Sequence, residues 1–243
     1  MPSQDQFTTT RWTLVLAAKR RHDPGGPEAF ARLCERYYEP LYSYLRRRGE
    51  SVEDAQDLTQ GFIARLLEKD VLRHADPARG KFRAFLLTSL KHYAANEHVR
   101  AVAGKRGGGK LSISFDLEAA EGRYWLEPTD YLTPERLYDR RWALGVLERA
   151  LRTLGAEFRA NGRESFFEAV QGTLTGDVDA VPYREIADRF DMSESNVKVS
   201  IHRMRRRYGD LVRAEIAETV ETEAAVDDEL RYLLTALGEA RHA

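Results

Sequence analysis

Residues 181–208 read VPYREIADRFDMSESNVKVSIHRMRRRY and predict two short helices joined by a tight polar turn. Pro182 suits the first position of a helix, because its missing N–H is not needed there. The apolar residues that follow recur at helical spacing and share one face: Tyr183, Ile186, Ala187 and Phe190. Asp191 tolerates left-handed backbone angles and Ser193 is a good N-cap, so a second helix is expected from Glu194.

The second helix of this hairpin has an apolar side and a basic side. Its apolar residues recur every three or four positions and can pack on the first helix: Val197, Ile201, Met204 and Tyr208. Residues 195–208 contain five basic side chains and no acid. This pattern is typical of a helix-turn-helix whose second helix enters the DNA major groove, and the alternative is an ordinary helical hairpin with a solvated basic face.

Two domains are predicted, because 243 residues can bury two ordinary cores. The protein is also expected to be soluble and cytoplasmic. Charged residues make up 32% of the chain at a net charge of −1, so a nucleic-acid surface requires segregation of charge. The single cysteine, Cys34, excludes an internal disulfide and a cysteine-rich metal site. No apolar run approaches the ~20 residues of a membrane span, and no signal-peptide core precedes the first helix, so no membrane partner is expected.

An acidic helix is expected after Ser51, which is its N-cap, with Asp54 completing a short capping box. The first half of this helix has an acidic and polar outer face formed by Glu53, Asp54, Gln56, Asp57 and Gln60. The face is either solvated or a docking surface for a basic partner helix, and the residues alone leave both readings open. A nucleic-acid enzyme with Asp54 and Asp57 as metal ligands is disfavoured, because the two lie three residues apart on one helix and no histidine converges on them.

A basic segment follows at 79–110, with eight basic residues against one acid, and contains a predicted helix at 82–102. Cations interleaved with aromatic rings suit single-stranded nucleic acid, which needs partners for phosphates and for unstacked bases. The side chain of Phe85 is instead predicted to pack in the core. The sequence GKRGGGK at 104–110 is followed by leucine instead of serine or threonine, so it predicts a flexible basic segment rather than a nucleotide site.

The predicted fold is all-α, with two small helical domains and a C-terminal helical extension. The N-terminal domain is assigned to 1–110, and an acidic, proline-marked linker to 111–134. The helix-turn-helix domain is assigned to 135–213, with helices at 134–159 and 165–174 before the hairpin. The acidic extension occupies 214–243, and its helix at 226–240 is expected to cap the second domain or to cover a basic surface.

Three motifs in this order resemble the bacterial RNA polymerase sigma factors of the extracytoplasmic-function type. They are DAQDLTQGF at 54–62, FRAFL at 82–86 running on to Asn96, and the closing helix-turn-helix. The resemblance covers roughly residues 29–212 and implies a transcription initiation factor with no catalytic residues, no metal and no cofactor. The implied partners are core RNA polymerase and promoter DNA, and an anti-sigma factor or a regulatory kinase is left open. The competing hypothesis is a conventional helix-turn-helix regulator that binds a palindromic duplex without polymerase.

The resemblance assigns three groups of functional residues. Those implied to bind core polymerase are Asp54, Asp57, Leu58, Gln60 and Phe62. Those implied to open the promoter and hold single-stranded DNA are Arg79, Lys81, Phe82, Arg83, Lys91, His92 and Asn96. Those implied to read duplex DNA are Ser195, Asn196, Lys198, Val199, His202 and Arg203, with Arg205, Arg206 and Arg207 mainly on phosphates.

The chain departs from the family pattern at several positions. Gln56 stands where the family usually has glutamate, and Phe85 where it has tryptophan. Thr59 lies beside Gln56, so phosphorylation of Thr59 would restore negative charge to this surface. The acidic C-terminal extension is also outside the minimal family plan.

Overall fold

A computed structural model describes residues 12–20, 22–68, 71–102, 120–122, 124, 132–175 and 181–238. These residues form helices and turns without a strand among them, which confirms the predicted all-α fold class. The glycine-rich segment at 104–110 and most of the predicted linker lie outside the described residues. Of the helices described, none is long and apolar enough to cross a membrane.

The helices are numbered in chain order. The first four are α1 (Thr13–Lys19), α2 (Gly26–Arg47), α3 (Val52–Glu68) and α4 (Phe82–Val102), with 3-10 turns at Val71–His74 and Pro77–Arg79. The next three are α5 (Pro134–Ala160), α6 (Glu164–Val170) and α7 (Gly172–Thr175). The last three are α8 (Tyr183–Arg189), α9 (Glu194–Ala217) and α10 (Glu223–Gly238).

Three helices differ from the sequence-based expectation. A proline inside a helix is expected to bend or interrupt it, but α2 runs through Pro40, which is buried together with Leu41 and Tyr42. The helix expected at 165–174 is divided into α6 and α7. α9 continues nine residues beyond Tyr208 because Leu211, Val212 and Ile216 extend its buried stripe at helical spacing.

The chain forms two compact units. Unit 1 comprises residues Met1–Gly145 and Ile216–Ala243, and unit 2 comprises Val146–Glu215. This division differs from the predicted boundaries, because the first part of α5 and the acidic C-terminal helix α10 both belong to unit 1. The structure therefore associates the C-terminal extension with the N-terminal domain.

The core of unit 1 is built around the aromatic ring of Phe82 at the start of α4. The ring centroids of Phe82 and Tyr37 lie 5.5 Å apart, and those of Phe82 and Trp12 lie 6.0 Å apart, both edge to face. α4 continues this core with a buried residue every fourth position: Phe82, Leu86, Leu90 and Ala94. The buried stripe fixes which side of α4 remains available to a partner.

The core of unit 2 joins α6 to the predicted helix-turn-helix. Phe166 and Phe190 meet edge to face with their ring centroids 5.3 Å apart. Ile186 of α8 and Val197 and Ile201 of α9 are fully buried, as the periodicity of the hairpin predicts. The apolar side of α9 is therefore used by the fold, and its opposite side faces solvent.

Helices α3 and α4 pack closely at Gly61. A Cβ at Gly61 would collide with the hydroxyl of Tyr93. We expect Gly61→Ala to lower the free energy of unfolding by about 1–3 kcal/mol, because the packed interface must shift to accept the methyl group. Urea unfolding followed by circular dichroism measures the change.

Two further variants isolate the cause of this loss. Gly209→Ala in α9 is the matched control, because no atom lies within 4 Å of a Cβ there and alanine favours helix. In a Tyr93→Phe background, Gly61→Ala should cost less, since the colliding hydroxyl is gone. An equal cost in both backgrounds would contradict the packing explanation.

Candidate partner and nucleic-acid surfaces

The acidic face of α3 begins at a capping box. The hydroxyl of Ser51 accepts a hydrogen bond from the backbone N–H of Asp54 at 3.0 Å and donates one to its carboxylate at 2.9 Å. This confirms the predicted cap, which fixes the first turn of the helix. Asp54 and Asp57 are exposed, while Leu58 and Gln60 are partly exposed.

Phe62 occupies a different place from the other four residues predicted on this face. Its side chain is buried, and its ring centroid lies 5.8 Å from that of Tyr93 on α4. The apolar spacing of α3 places Phe62 on the core side, where it supports the acidic face from beneath. Of the five residues predicted to bind polymerase, Asp54, Asp57, Leu58 and Gln60 are therefore the ones that a partner can reach.

Thr59 is unsuited to phosphorylation in this structure. The residue is fully buried, and its hydroxyl donates a 2.6 Å hydrogen bond to the carbonyl oxygen of Ala55 one turn earlier. A kinase must reach the hydroxyl, and a phosphate at this position would require room for a dianion inside a packed interface. The hypothesis of a switch at Thr59 therefore loses its structural basis.

Within residues 79–102, the part of the basic segment that the structure describes, exposed residues lie at the start and along one side of α4. Arg79 is largely exposed, with its Nε 3.6 Å from a carboxylate oxygen of Asp76. His92 and Asn96 of α4 are both exposed. These three predicted residues are accessible to solvent.

The ammonium group of Lys91 is already paired with a carboxylate. Its ammonium group donates a 2.7 Å hydrogen bond to Glu135 of α5 and lies 5.6 Å from the ring centroid of Tyr44. The hydrogen bond from Lys91 lowers the pKa of Glu135, and Glu135 in turn raises the pKa of Lys91. The side chain of Lys91 is 38% exposed and that of Glu135 is 47% exposed, so solvent screens this ion pair.

Two of the residues predicted to hold single-stranded DNA are buried. Phe82 is only 1% exposed and belongs to the core of unit 1, so its ring is not available to stack on a base. Arg83 is 8% exposed and forms ion pairs with Asp139 of α5 and Glu229 of α10. Burial acts to lower the pKa of Arg83, but the two carboxylates outweigh this effect and raise it.

Lys81 lies at the edge of the same cluster and is about one third exposed. Its ammonium nitrogen is 3.5 Å from Glu229 and 5.2 Å from the ring centroid of Tyr232. Sequence analysis missed the acidic partners of this cluster. The sequence contained one indication that Glu229 is buried, because this residue lies between Val226 and Leu233 on the apolar stripe of α10.

The turn of the helix-turn-helix has the geometry that its residues predict. Asp191 has a φ of 50°, in the left-handed region that aspartate tolerates. The backbone N–H of Met192 donates to the carbonyl oxygen of Ala187 at 2.9 Å and closes the corner. The hydroxyl of Ser193 accepts a 3.2 Å hydrogen bond from the N–H of Asn196, so it caps α9 as expected.

The outer side of α9 presents the predicted duplex-binding residues to solvent. All nine are exposed: Ser195, Asn196, Lys198, Val199, His202, Arg203, Arg205, Arg206 and Arg207. Arg207 has a carboxylate partner, since its Nε donates a 3.0 Å hydrogen bond to Glu157 of α5. This bond holds the exposed guanidinium of Arg207 against Glu157, and it lowers the pKa of Glu157.

A comparison with protein-family models matches the part of the chain that contains the acidic face of α3 and the basic side of α4. Residues 33–103 match the family model of sigma-70 region 2, a stretch that runs from within α2 to just past α4 and covers less than a third of the chain. No curated protein and no solved structure matches the chain. The family match supports a factor of the sigma-70 family, a class of transcription initiation proteins that bind RNA polymerase.

Within the described residues, no group of three or more histidine, cysteine, aspartate or glutamate side chains is placed to hold a metal ion. Cys34 is buried, and burial raises the pKa of its thiol to about 12. The thiol is therefore protonated at neutral pH and packs as an apolar group.

Proposed function

We propose that the chain is a sigma factor of the extracytoplasmic-function type, which binds core RNA polymerase and directs it to specific promoters. The observation that carries this proposal is the match of residues 33–103 to sigma-70 region 2. Within the matched residues, α3 presents an exposed acidic face and α4 an exposed polar and basic side. These are the two surfaces required for a protein partner and for nucleic acid.

The proposed contact with polymerase is electrostatic and lies on α3. Asp54 and Asp57 are one helical turn apart on an exposed face, with Leu58 and Gln60 beside them. A basic helix of the polymerase would meet complementary charge there, which favours association and fixes its orientation. Phe62 and the glycine at position 61 keep this face in place through their packing against Tyr93.

The proposed contacts with promoter DNA are divided between the two units. In unit 1, Arg79, Lys91, His92 and Asn96 are available to the melted non-template strand. In unit 2, the exposed side of α9 is proposed to read the upstream element as duplex through Ser195, Asn196, Lys198, Val199, His202 and Arg203. Arg206 is proposed to contact phosphate, and Arg207 to do so after leaving Glu157.

Asp57→Lys tests the polymerase contact. We expect this change to abolish association with bacterial core RNA polymerase, because it reverses the charge at the centre of the acidic face. Gel filtration of the mixed proteins measures complex formation, and circular dichroism checks that the helix content is retained. Glu168→Lys is the matched control, since Glu168 is an exposed acid on α6. Unchanged binding by Asp57→Lys would show that the acidic face is only solvated.

Arg203→Ala tests the duplex contact. If the guanidinium reads a base edge, its loss should weaken promoter binding by about 1–3 kcal/mol and relax specificity at one position. Fluorescence anisotropy with holoenzyme and a labelled promoter duplex measures the effect. Arg152→Ala removes an exposed arginine from α5 and should have little effect. Equal losses in both variants would indicate a nonspecific contribution of charge.

A further inference from the structure

The buried face of the C-terminal helix α10 contains one carboxylate. Val226, Glu229 and Leu233 lie on this face, and each is no more than 2% exposed. An ionised carboxylate is costly to bury unless cations and hydrogen bonds compensate it. Two cations at the start of α4, Lys81 and Arg83, compensate the buried carboxylate of Glu229.

The contacts of α10 reproduce those that a nucleotide would make with the same cations. The carboxylate of Glu229 lies 3.1 Å from Nε of Arg83 and 3.5 Å from Nζ of Lys81, as a phosphate would. The ring centroid of Tyr232 lies 4.0 Å from the guanidinium carbon of Arg83, as a stacked base would. An anion and an aromatic ring thus already occupy this basic site.

If α10 left, the site would carry a net positive charge, but Arg83 would still have partners within unit 1. Arg83 would retain the carboxylate of Asp139 and the ring of Trp142, whose centroid lies 5.1 Å from its guanidinium carbon. Removing one of two carboxylates from two cations leaves one uncompensated positive charge at the edge, where Lys81 is already partly exposed. The penalty for an unpaired buried cation is thereby avoided.

The chain before α10 has its own attachment to unit 1. Glu218 forms ion pairs with Arg32 and Arg36 of α2, and the Arg32 pair has a separation of 2.9 Å. Glu221 and Thr222, between this anchor and α10, are exposed. This anchor would keep a displaced α10 tethered to unit 1 at high effective concentration.

We propose that α10 and single-stranded DNA compete for Lys81 and Arg83, so that the C-terminal helix is a displaceable cover of this basic site. The inference rests on the proposed function, in which α4 belongs to the surface that holds the melted strand. In the covered state the site is neutral and has low affinity for nucleic acid. In the uncovered state Lys81 and one face of Arg83 become available to phosphate and base.

Glu229→Gln in the full chain tests the competition. The change keeps the shape of the side chain but removes its charge, so it weakens the cover and enlarges the uncovered fraction. We expect a short fluorescein-labelled single-stranded oligonucleotide to bind about 3- to 10-fold more tightly, as measured by anisotropy at low salt. Asp228→Asn is the matched control, because Asp228 is exposed on the same helix and pairs with Arg231. Equal affinities for the two variants would overturn the proposal.

Hydrogen exchange of the wild-type chain provides a test without a substitution. We expect backbone amides of α10 to lose protection when the same oligonucleotide is added to saturation, because the helix has left its site. Retained protection in the DNA-bound chain, or no binding by any of the three proteins, would overturn the proposal. This measurement holds even where Glu229→Gln fails to fold.

Binding to core RNA polymerase separates this inference from the proposed function. Suppose that the chain binds polymerase, that Glu229→Gln leaves DNA affinity unchanged, and that α10 of the wild-type chain keeps its protection from hydrogen exchange when DNA is bound. The cover is then disproved and the sigma-factor proposal stands. If α10 is displaced by DNA but the chain does not bind polymerase, the cover stands and the sigma-factor proposal fails.

Discussion

The ion-pair cluster at Arg83 determines how unit 1 is assembled. The side chain lies on α4, its two carboxylate partners lie on α5 and α10, and the hydroxyl of Tyr138 donates to its backbone carbonyl oxygen at 2.9 Å. A buried charge that is left without any partner typically costs about 3–5 kcal/mol, even though an intact buried pair adds little net stability. The cluster therefore specifies which helices meet, and hydrophobic burial around Phe82 supplies the stability.

This constraint explains why the two basic surfaces of the chain differ. At the start of α4, carboxylates from distant segments neutralise the cations and leave Arg79, His92 and Asn96 as the exposed residues. On α9, most of the basic residues project into solvent, and Arg207 is held by Glu157 within its own unit. Among the described residues, the basic face of α9 is thus exposed, whereas the basic site at the start of α4 is internally compensated.

Much of the fold could be predicted from local sequence patterns. The spacing of apolar residues predicted the extent of α4 and the buried face of the hairpin, while Ser51 and Ser193 marked two helix starts through their capping chemistry. The buried position of Phe82 was also predictable, since Phe82, Leu86 and Leu90 form one stripe. The basic residues around it instead favoured an interpretation as a nucleic-acid surface.

The position of the C-terminal helix could not be predicted in the same way. Glu229 and Arg83 are 146 residues apart in sequence, and Asp139 and Arg83 are 56 apart, so no local periodicity relates them. Their pairing follows from tertiary packing, which places one carboxylate from each of two helices against the same guanidinium. The predicted domain boundaries separated these residues for the same reason.

The most direct measurement is transcription by purified bacterial core RNA polymerase on a library of genomic DNA fragments, with and without the chain. If the chain is a sigma factor, transcripts should start at defined positions only when it is present, and their promoters should share an upstream sequence element. Transcription that does not depend on the chain, together with binding of the chain alone to a palindromic duplex, would contradict this account and favour a conventional regulator.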